Sequence, residues 1–588
     1  MKFLCTNKKE IKSRGLKIVD FVMVTGDAYV DHPSFGTSLI ARYLESFGYS
    51  VAILSQPNIN DNNSIRKCGL PRLAFLVSSG NIDSMVNNYY VSKKKRKKDV
   101  FSVNDKGNKR PDYAVVEYSK LIRKVYGQEI PIILGGIEAS LRRLAHYDYW
   151  QDKIIPSILL QSDADLLVYS MGEKAIIEIA DYLNSGVAIK DLTFIKGTVY
   201  KTDSINNLEN AILLPSFSQV KTDKMQYLRS FLLQYQNNEY QSAKILVEKY
   251  SDCYLIQNTP QPVLTQLELD HLYDLPFCYE SYDEQQQFGT ITALKEVKFS
   301  INVNRGCNGG CHFCALTFHQ GKQISMRSSQ SCLNEAIKMT SFADFKGYIH
   351  DVGGPTANFN DKMCVKLNEY GSCQDKNCFG YEMCDNLKID HSQYFDILRS
   401  IRALPQIKKV FVRSGIRYDY LIKDKESYLK ELLQYHVSGQ LRLAPEHCSN
   451  NVLKLMNKPN ILVYDKFVLK CQKINQQLNL KQFVVPYFIS SHPGSTLNDA
   501  LTLALYLKKI NYRPQQAQDF YPTPSTISTL MYYTEINPFT LKKINVAKTS
   551  EDKQLQNALL QFHLFKNREL VKKALTILNR KDLINVLK

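Results

Sequence analysis

The sequence predicts an α/β protein made of two parallel-sheet units, an N-terminal doubly wound domain and a partial (β/α)6 barrel, followed by a helical C-terminal tail. Three observations carry that expectation. Short apolar runs of strand length alternate with stretches of helical spacing. The residues that suggest chemistry fall directly after those runs, where parallel sheets carry their sites. At 588 residues the chain also exceeds what one core supports.

The first unit opens with Lys17 to Thr25, an apolar run ending at Gly26-Asp27. Helical spacing from Pro33 to Phe47 stops at Gly48, and Ser50 to Leu54 reads as a second strand, completing one βαβ unit. Arg72 to Ser78, Ile130 to Leu134 and Ala164 to Tyr169 repeat the strand pattern, with helical patterns at Tyr113 to Val125 and Glu173 to Leu183. Residues 1–190 are therefore expected to form a Rossmann-like α/β domain. Its crevice loops would be residues 80–85, 135–138 and 146–150, and His146, Asp148, Arg142 and Arg143 leave a binding role open there. No G-x-G-x-x-G dinucleotide signature is present.

Residues 191–290 read as a connector of mixed, Pro-bearing pattern. Residues 291–530 carry six strand runs, at Lys298 to Asn304, Gly347 to Val352, Lys409 to Val412, Gln440 to Leu443, Phe483 to Ile489 and Ala517 to Phe520. Helical patterns separate them, as in a partial TIM-like barrel. Residues 531–588 read as a helical cap.

Composition narrows the class. No stretch approaches the roughly 20 apolar residues of a membrane span, and no apolar run precedes the first charges, so a cytoplasmic location without a membrane partner is expected. The formal charge of +18 fits either a polyanionic partner such as RNA or a lysine-rich composition that carries charge everywhere. The lysines are scattered rather than striped, which favours the second reading; the run Lys93 to Lys98 is diluted by Asp99, Asp105 and Asp112.

Of the 14 Cys, eight lie between Cys307 and Cys384, a density that points to metal ligands in a large cytosolic chain. Cys307, Cys311 and Cys314 stand as C-x3-C-x2-C among Gly306, Gly309 and Gly310. A four-iron cluster ordinarily takes four Cys, so this loop would leave one iron for an exogenous ligand. Cys364, Cys373, Cys378 and Cys384 follow at x8, x4 and x5 spacing. Four thiols can close a site completely, and either a structural zinc or an auxiliary iron-sulfur cluster satisfies that set.

The three-Cys loop, entered from strand-forming INVNRG and followed by five more βα units, resembles the radical S-adenosylmethionine superfamily. The resemblance implies that Cys307, Cys311 and Cys314 bind three irons of a [4Fe-4S] cluster while S-adenosylmethionine chelates the fourth. It further implies cofactor contacts from Phe313, from Gly353-Gly354-Pro355 (similar to the superfamily's Gly-Gly-Glu segment, with Pro355 in place of the acid), and from Ser414, Glu446 and His492. No catalytic residue is identified.

Taken together, HPSFG, SGNIDSMVNNY, RPD, GGIEASLRR, HYDYW, GGPTAN, SGIRYD, APEH, HPGST and QDFYPTPST look like the YgiQ family of uncharacterised radical SAM proteins. The expected function is reductive cleavage of S-adenosylmethionine to a 5′-deoxyadenosyl radical that abstracts hydrogen from an unknown substrate. Flavodoxin or ferredoxin is the kind of electron donor implied. A non-catalytic iron-sulfur protein that senses redox state or binds RNA is the alternative. Asp31 and His32 are adjacent, which breaks the D-x-H-x-x-G signature of corrinoid ligation, so no cobalamin is expected.

Overall fold

A computed structural model describes residues 2–206, 208–373 and 376–587. In the N-terminal half, β1 (Phe21–Thr25), β2 (Val51–Ser55), β3 (Ala74–Ser78), β4 (Ile132–Leu134) and β5 (Leu166–Val168) run parallel in the order β2-β1-β3-β4-β5. Val22 sits between Ala52 and Phe75, which fixes the central register. These strands are apolar along almost their whole length because both faces are covered. The helices between them include α1 (Gly36–Ser46), α2 (Ala114–Tyr126) and α3 (Glu173–Asn184). The strand order reverses between β1 and β3, and an open α/β sheet binds ligands outside the strand ends at that point.

The sheet does not stop at residue 190. β6 (Thr198–Thr202), β7 (Ile212–Leu213), β8 (Leu246–Lys249) and β9 (Tyr254–Gln257) extend it in the order β7-β8-β9-β6 beyond β5. The expectation of a connector over 191–290 is corrected accordingly for these strands. β6 pairs antiparallel with β5 and with β9, and β8 with β9, so the extension consists of short strands that depart from the parallel pattern.

Beyond residue 299 the strand segments of the barrel are β10 (Ser300–Asn302), β11 (Tyr348–Ile349), β12 (Asp351–Gly353), β13 (Lys409–Val410), β14 (Gln440–Glu446), β15 (Phe483–Ser490) and β16 (Gln518–Asp519), apart from a hairpin of Asn304–Arg305 with Ser325–Met326. All their mutual pairings are parallel: β10 with β12, β11 with β13, and β14 with β15 with β16. Amphipathic helices lie between them, including Ser392–Arg402 and Ile461–Gln477. In the tail, helices Ser550–Leu560 and Arg568–Ile577 pack their apolar faces inward. Among the described residues no helix is long and apolar enough to cross a membrane.

The two halves are joined through buried polar contacts. Arg143 is buried, donating from Nε to Gln257 Oε1 at 2.8 Å, from Nη1 to the Ser140 carbonyl at 2.8 Å and from Nη2 to Asn238 Oδ1 at 3.1 Å. Its guanidinium lies 4.6 Å from the Tyr169 ring centre and 4.0 Å from that of Phe318 in the second half. Asn238 Nδ2 donates onward to the carbonyls of Thr317 and Phe318 at 3.3 and 3.2 Å.

Candidate metal and cofactor site

The three-Cys loop is the tip of a long hairpin. Asn304 and Arg305 pair antiparallel with Met326 and Ser325. Gly306 takes φ +85°, and a Cβ there would lie 2.0 Å from the Gln323 carbonyl oxygen, so the turn into the loop requires glycine. Cys307 N–H donates to the Gly321 carbonyl at 3.0 Å and Cys314 N–H to the Cys311 carbonyl at 3.0 Å. From outside the hairpin, Asn457 Nδ2 donates to the Gly310 carbonyl at 2.9 Å, and His312 N–H to the Met456 carbonyl at 3.1 Å.

The thiols lie close to one another. A Cβ on Gly309 would stand 3.4 Å from Cys307 Sγ and 3.9 Å from Cys311 Sγ. Burial pushes the Cys314 thiol up to about 12, with Cys307 and Cys311 adding to the shift. Burial and then Cys311 raise Cys307. Opposing charge comes from Arg417, whose Nη1 donates to Cys311 Sγ at 3.6 Å while Nε donates to Asp419 at 2.8 Å. Burial works against that guanidinium, but Asp419 and Cys311 hold its pKa above the ordinary value. Arg417 Nη2 is buried without a partner.

The residues expected to contact the cofactor occupy unequal positions. A Cβ on Gly353 would meet Ser414 Cβ at 2.6 Å, and one on Gly354 would meet Asn304 Oδ1 at 2.2 Å and the Asn304 carbonyl at 2.9 Å. Ser414 is engaged with Asp351, which accepts from the Ser414 hydroxyl and from the Arg413 and Ser414 N–H groups at 2.7 and 3.0 Å. Glu446 sits at φ +70° with Oε1 3.8 Å from Lys458 Nζ and Oε2 buried and unpartnered. Burial raises its carboxyl to about 7 against the pull of Lys458 and Arg417. His492 has both ring nitrogens in use, at 2.7 Å from Ser528 Oγ and 2.8 Å from the Pro493 carbonyl, and burial lowers its pKa to about 3. Phe313 packs edge-on to His492 at 6.3 Å.

A cavity of about 470 Å³ lies between the sheet and the barrel strands. One wall is the strand-end crevice, with Ser34, Asn81, Gly135, Gly136 and Ser170; the other is Asn302, Asn304, Arg305, Gly354, Pro355 and helix α4 (Leu316–Gln320). Three lining groups are buried without a hydrogen-bond partner: Asn304 Oδ1, Glu173 Oε2 and His319 Nδ1.

The titratable loop residues expected near this crevice are spent on each other. Arg142 pairs with Asp83 at 2.9 Å and Asp148 at 3.1 Å and lies 3.2 Å from His146, all buried, while Glu138 accepts from Ser84 N–H at 2.7 Å. The binding role left open for them gives way to a buried structural network. Arg417, Asn304 and Asn457 were not singled out by sequence reasoning. The first two stand inside quoted motifs, whereas Asn457 has no local signal.

Among the described residues no group of three or more His, Cys, Asp or Glu side chains is arranged to hold a metal ion. The donor chemistry nonetheless fits a cluster at the three-Cys loop: one buried and two half-buried cysteines in one short turn, with an unpartnered guanidinium nitrogen beside them.

The Radical SAM N-terminal family matches residues 3–300, and a domain of unknown function, DUF3362, matches 515–588. A UPF0313 protein of Clostridium botulinum (strain Loch Maree / Type A3) is 50% identical over 585 residues, covering 99% of this chain and 90% of the relative. The chain belongs to the UPF0313 family. A second UPF0313 protein, from Clostridium perfringens (strain SM101 / Type A), is 49% identical over 99% of the chain and 88% of its own length. The resemblance to the YgiQ family of radical SAM proteins is consistent with this membership, and the UPF0313 chain is an enzyme of the radical SAM class whose specific reaction is unknown.

Two solved structures are similar to it. The radical S-adenosylmethionine methyltransferase TsrM from Kitasatospora setae, with cobalamin and a [4Fe-4S] cluster bound, has a TM-score of 0.46 at 12% identity, covering 86% of this chain and 77% of that one. The cobalamin-dependent S-adenosylmethionine radical enzyme OxsB, with aqua-cobalamin bound, has a TM-score of 0.48 at 10% identity, covering 97% and 72%. The expectation that no cobalamin binds is corrected by these neighbours.

Proposed function

We propose that this UPF0313 protein cleaves S-adenosylmethionine reductively and uses the resulting 5′-deoxyadenosyl radical to remove a hydrogen atom from a substrate held in the 470 Å³ cavity. The cavity's position carries the reading. Gly354, Pro355 and helix α4, which begins two residues after Cys314, line the same space as the crevice loops of the sheet.

In this proposal Cys307, Cys311 and Cys314 hold the cluster. When bound, it supplies one low-potential electron and an open iron for the amino and carboxylate groups of S-adenosylmethionine. The chain's own residues orient the cofactor and keep water out. Arg417 places a fixed positive charge beside Cys311, where it would offset negative charge on the bound cluster. Glu446 Oε2 is free to accept a hydrogen bond from a ribose hydroxyl. Gly354 carries no side chain of its own, so its backbone can approach the methionine end of the cofactor. His492 and Ser414 act here as supports for neighbouring loops. The crevice outside β1 and β3 is also where a corrinoid would sit.

Reduced, reconstituted protein, supplied with flavodoxin or ferredoxin as electron donor, is expected to form 5′-deoxyadenosine, measured by liquid chromatography and mass spectrometry. Cys307→Ala should abolish it. Absence of product from intact, cluster-loaded protein would defeat the proposal.

A further inference from the structure

The lysines of the run Lys93 to Lys98 are all exposed, and Arg96 among them is half-buried. The acids that follow the run cancel less of its charge than their spacing suggests. Asp99 is buried against Arg110 at 3.3 Å, and Asp112 accepts from the Asn88 amide at 2.8 Å and the Tyr89 hydroxyl at 2.6 Å. Lys95, 3.6 Å from Asp112, is the one member of the run in an ion pair among the described residues.

Aromatic rings lie against this run. Lys93 Nζ donates to the Trp150 carbonyl at 3.3 Å and stands 4.9 Å from the Tyr149 ring centre, while Lys95 stands 5.8 Å from that of Tyr89. Lys553 adds charge at the same rings, its Nζ 3.1 Å from the Tyr149 and Tyr532 hydroxyls, and Lys548 lies 4.4 Å from the Tyr532 ring centre. Glu535 serves both Lys548 and Lys224 at 3.8 Å, and Asp152 accepts from the Tyr147 hydroxyl at 2.5 Å. Positive charge is left over.

From this surface the rings continue inward. Ring centres are 5.8 Å apart between Tyr149 and Tyr532, 6.1 Å between Tyr532 and Phe520, 5.2 Å between Phe520 and His492, and 6.3 Å between His492 and Phe313. All are contact distances for rings. Phe313 directly precedes Cys314. Helix Ile527–Thr534, which carries Tyr532, begins against the same loop, where Ser528 N–H donates to the His312 carbonyl at 2.9 Å. A packed path thus joins the lysine run to the three-Cys loop.

We propose that Lys93 to Lys98, with Lys548 and Lys553, form the docking surface for an acidic protein that carries single electrons, and that electrons enter the molecule from this side. The inference rests on the reading of Cys307, Cys311 and Cys314 as cluster ligands. One electron leaves the carrier's reduced centre and is taken up at the three-Cys site, with no bond made or broken. The rings are packing through which it passes and are not themselves oxidised or reduced. A chain of formal charge +18 attracts polyanions in general. The path behind this surface favours an electron carrier over RNA, which has no use for one. Encounters between redox proteins bury little area and are steered by charge, which suits a loop of exposed lysines.

Isothermal titration calorimetry of the full-length chain, with a flavodoxin and a ferredoxin as probes, tests the surface without requiring any reaction. The unaltered chain should bind at least one of them, more weakly as ionic strength rises to about 0.15 M. The variant Lys93→Gln, Lys94→Gln, Lys97→Gln, its fold checked by circular dichroism, should bind that probe at least about tenfold more weakly. In stopped flow, the visible absorbance of the cluster-loaded variant should bleach more slowly with the reduced probe and at an unchanged rate with dithionite, a small reductant that needs no docking. An unaltered chain that binds neither probe, or a folded variant that binds and is reduced as the unaltered chain is, overturns the proposal. So does a lysine run that binds RNA and neither probe. Failure of dithionite to bleach either chain would count against the cluster reading, while calorimetry still decides the docking surface.

Discussion

Asn457 donates through one amide nitrogen to the Gly310 carbonyl at 2.9 Å and to the Phe379 carbonyl at 3.1 Å, which makes it the tie between the two cysteine-bearing segments. Its Oδ1 accepts from Asn377 at 3.3 Å, and its φ of +55° is a left-handed conformation that Asn tolerates well.

Asn457→Ala should therefore lose stability twice, by about 1 to 2 kcal/mol for the unsatisfied buried carbonyls and by about 1 kcal/mol because alanine lacks the polar side chain that lets asparagine adopt left-handed backbone. Asn457→Gly should recover the second part only. Urea denaturation of both variants measures the two contributions. Equal stability of Asn457→Gly and the unaltered protein would show that the amide ties nothing.

Gly354→Ala places a methyl group 2.2 Å from Asn304 Oδ1 and 2.9 Å from the Asn304 carbonyl oxygen. The second clash is with backbone, so trimming the Asn304 side chain cannot relieve it. Overpacking of this kind costs about 1 to 3 kcal/mol. The expected result is a folded protein whose affinity for S-adenosylmethionine falls by about fivefold to about a hundredfold, at about 1.4 kcal/mol per tenfold; equilibrium dialysis reads it.

Glu248 gives a pH signature away from the thiols. It accepts from Ala145 N–H at 3.0 Å and from the Tyr250 hydroxyl at 2.7 Å, and burial raises its carboxyl from 4.5 to about 7. The native state therefore holds this proton more tightly than the unfolded chain. No penalty arises below the unfolded value, stability falls as pH rises from about 4.5 to about 7, and the deficit is constant above that. Glu248→Gln should be more favourable, relative to the unaltered protein, at pH 8 than at pH 5, by at most about 3 kcal/mol. Denaturation midpoints at the two pH values supply the comparison, and a difference that does not change with pH would refute the assignment.

Much of the fold was legible because parallel strands buried on both faces are continuous apolar runs. Lys17 to Thr25, Arg72 to Ser78 and Ile130 to Leu134 contain the observed Phe21–Thr25, Ala74–Ser78 and Ile132–Leu134. Helix Leu497–Lys509 opens on a capping box between Thr496 and Asp499, a signal confined to neighbouring residues. The strands from Thr198 to Gln257 were missed because their identity rests on partners: Thr202 pairs with Tyr254, and short polar-edged runs look alike whether paired or not. At the site, the cysteines announced themselves by spacing. Asn457 could not, because its role comes from carbonyls more than 70 residues away in the chain. The crevice carboxylates misled in the other direction, since charge type is visible in a sequence and its neutralising partner is not.

Arg143 carries a consequence for how the molecule can be divided. Its charge is solvated by amides and a carbonyl of the first half, yet one of its two aromatic faces, Phe318, lies past residue 300, where the Radical SAM N-terminal match ends. Cutting there would strip the lid from a desolvated cation and leave Asn238 facing water instead of the Thr317 and Phe318 carbonyls. The edge of a sequence family marks where similarity stops, and here it runs through the middle of a joint, so the two halves are best produced, folded and studied as a single mechanical piece.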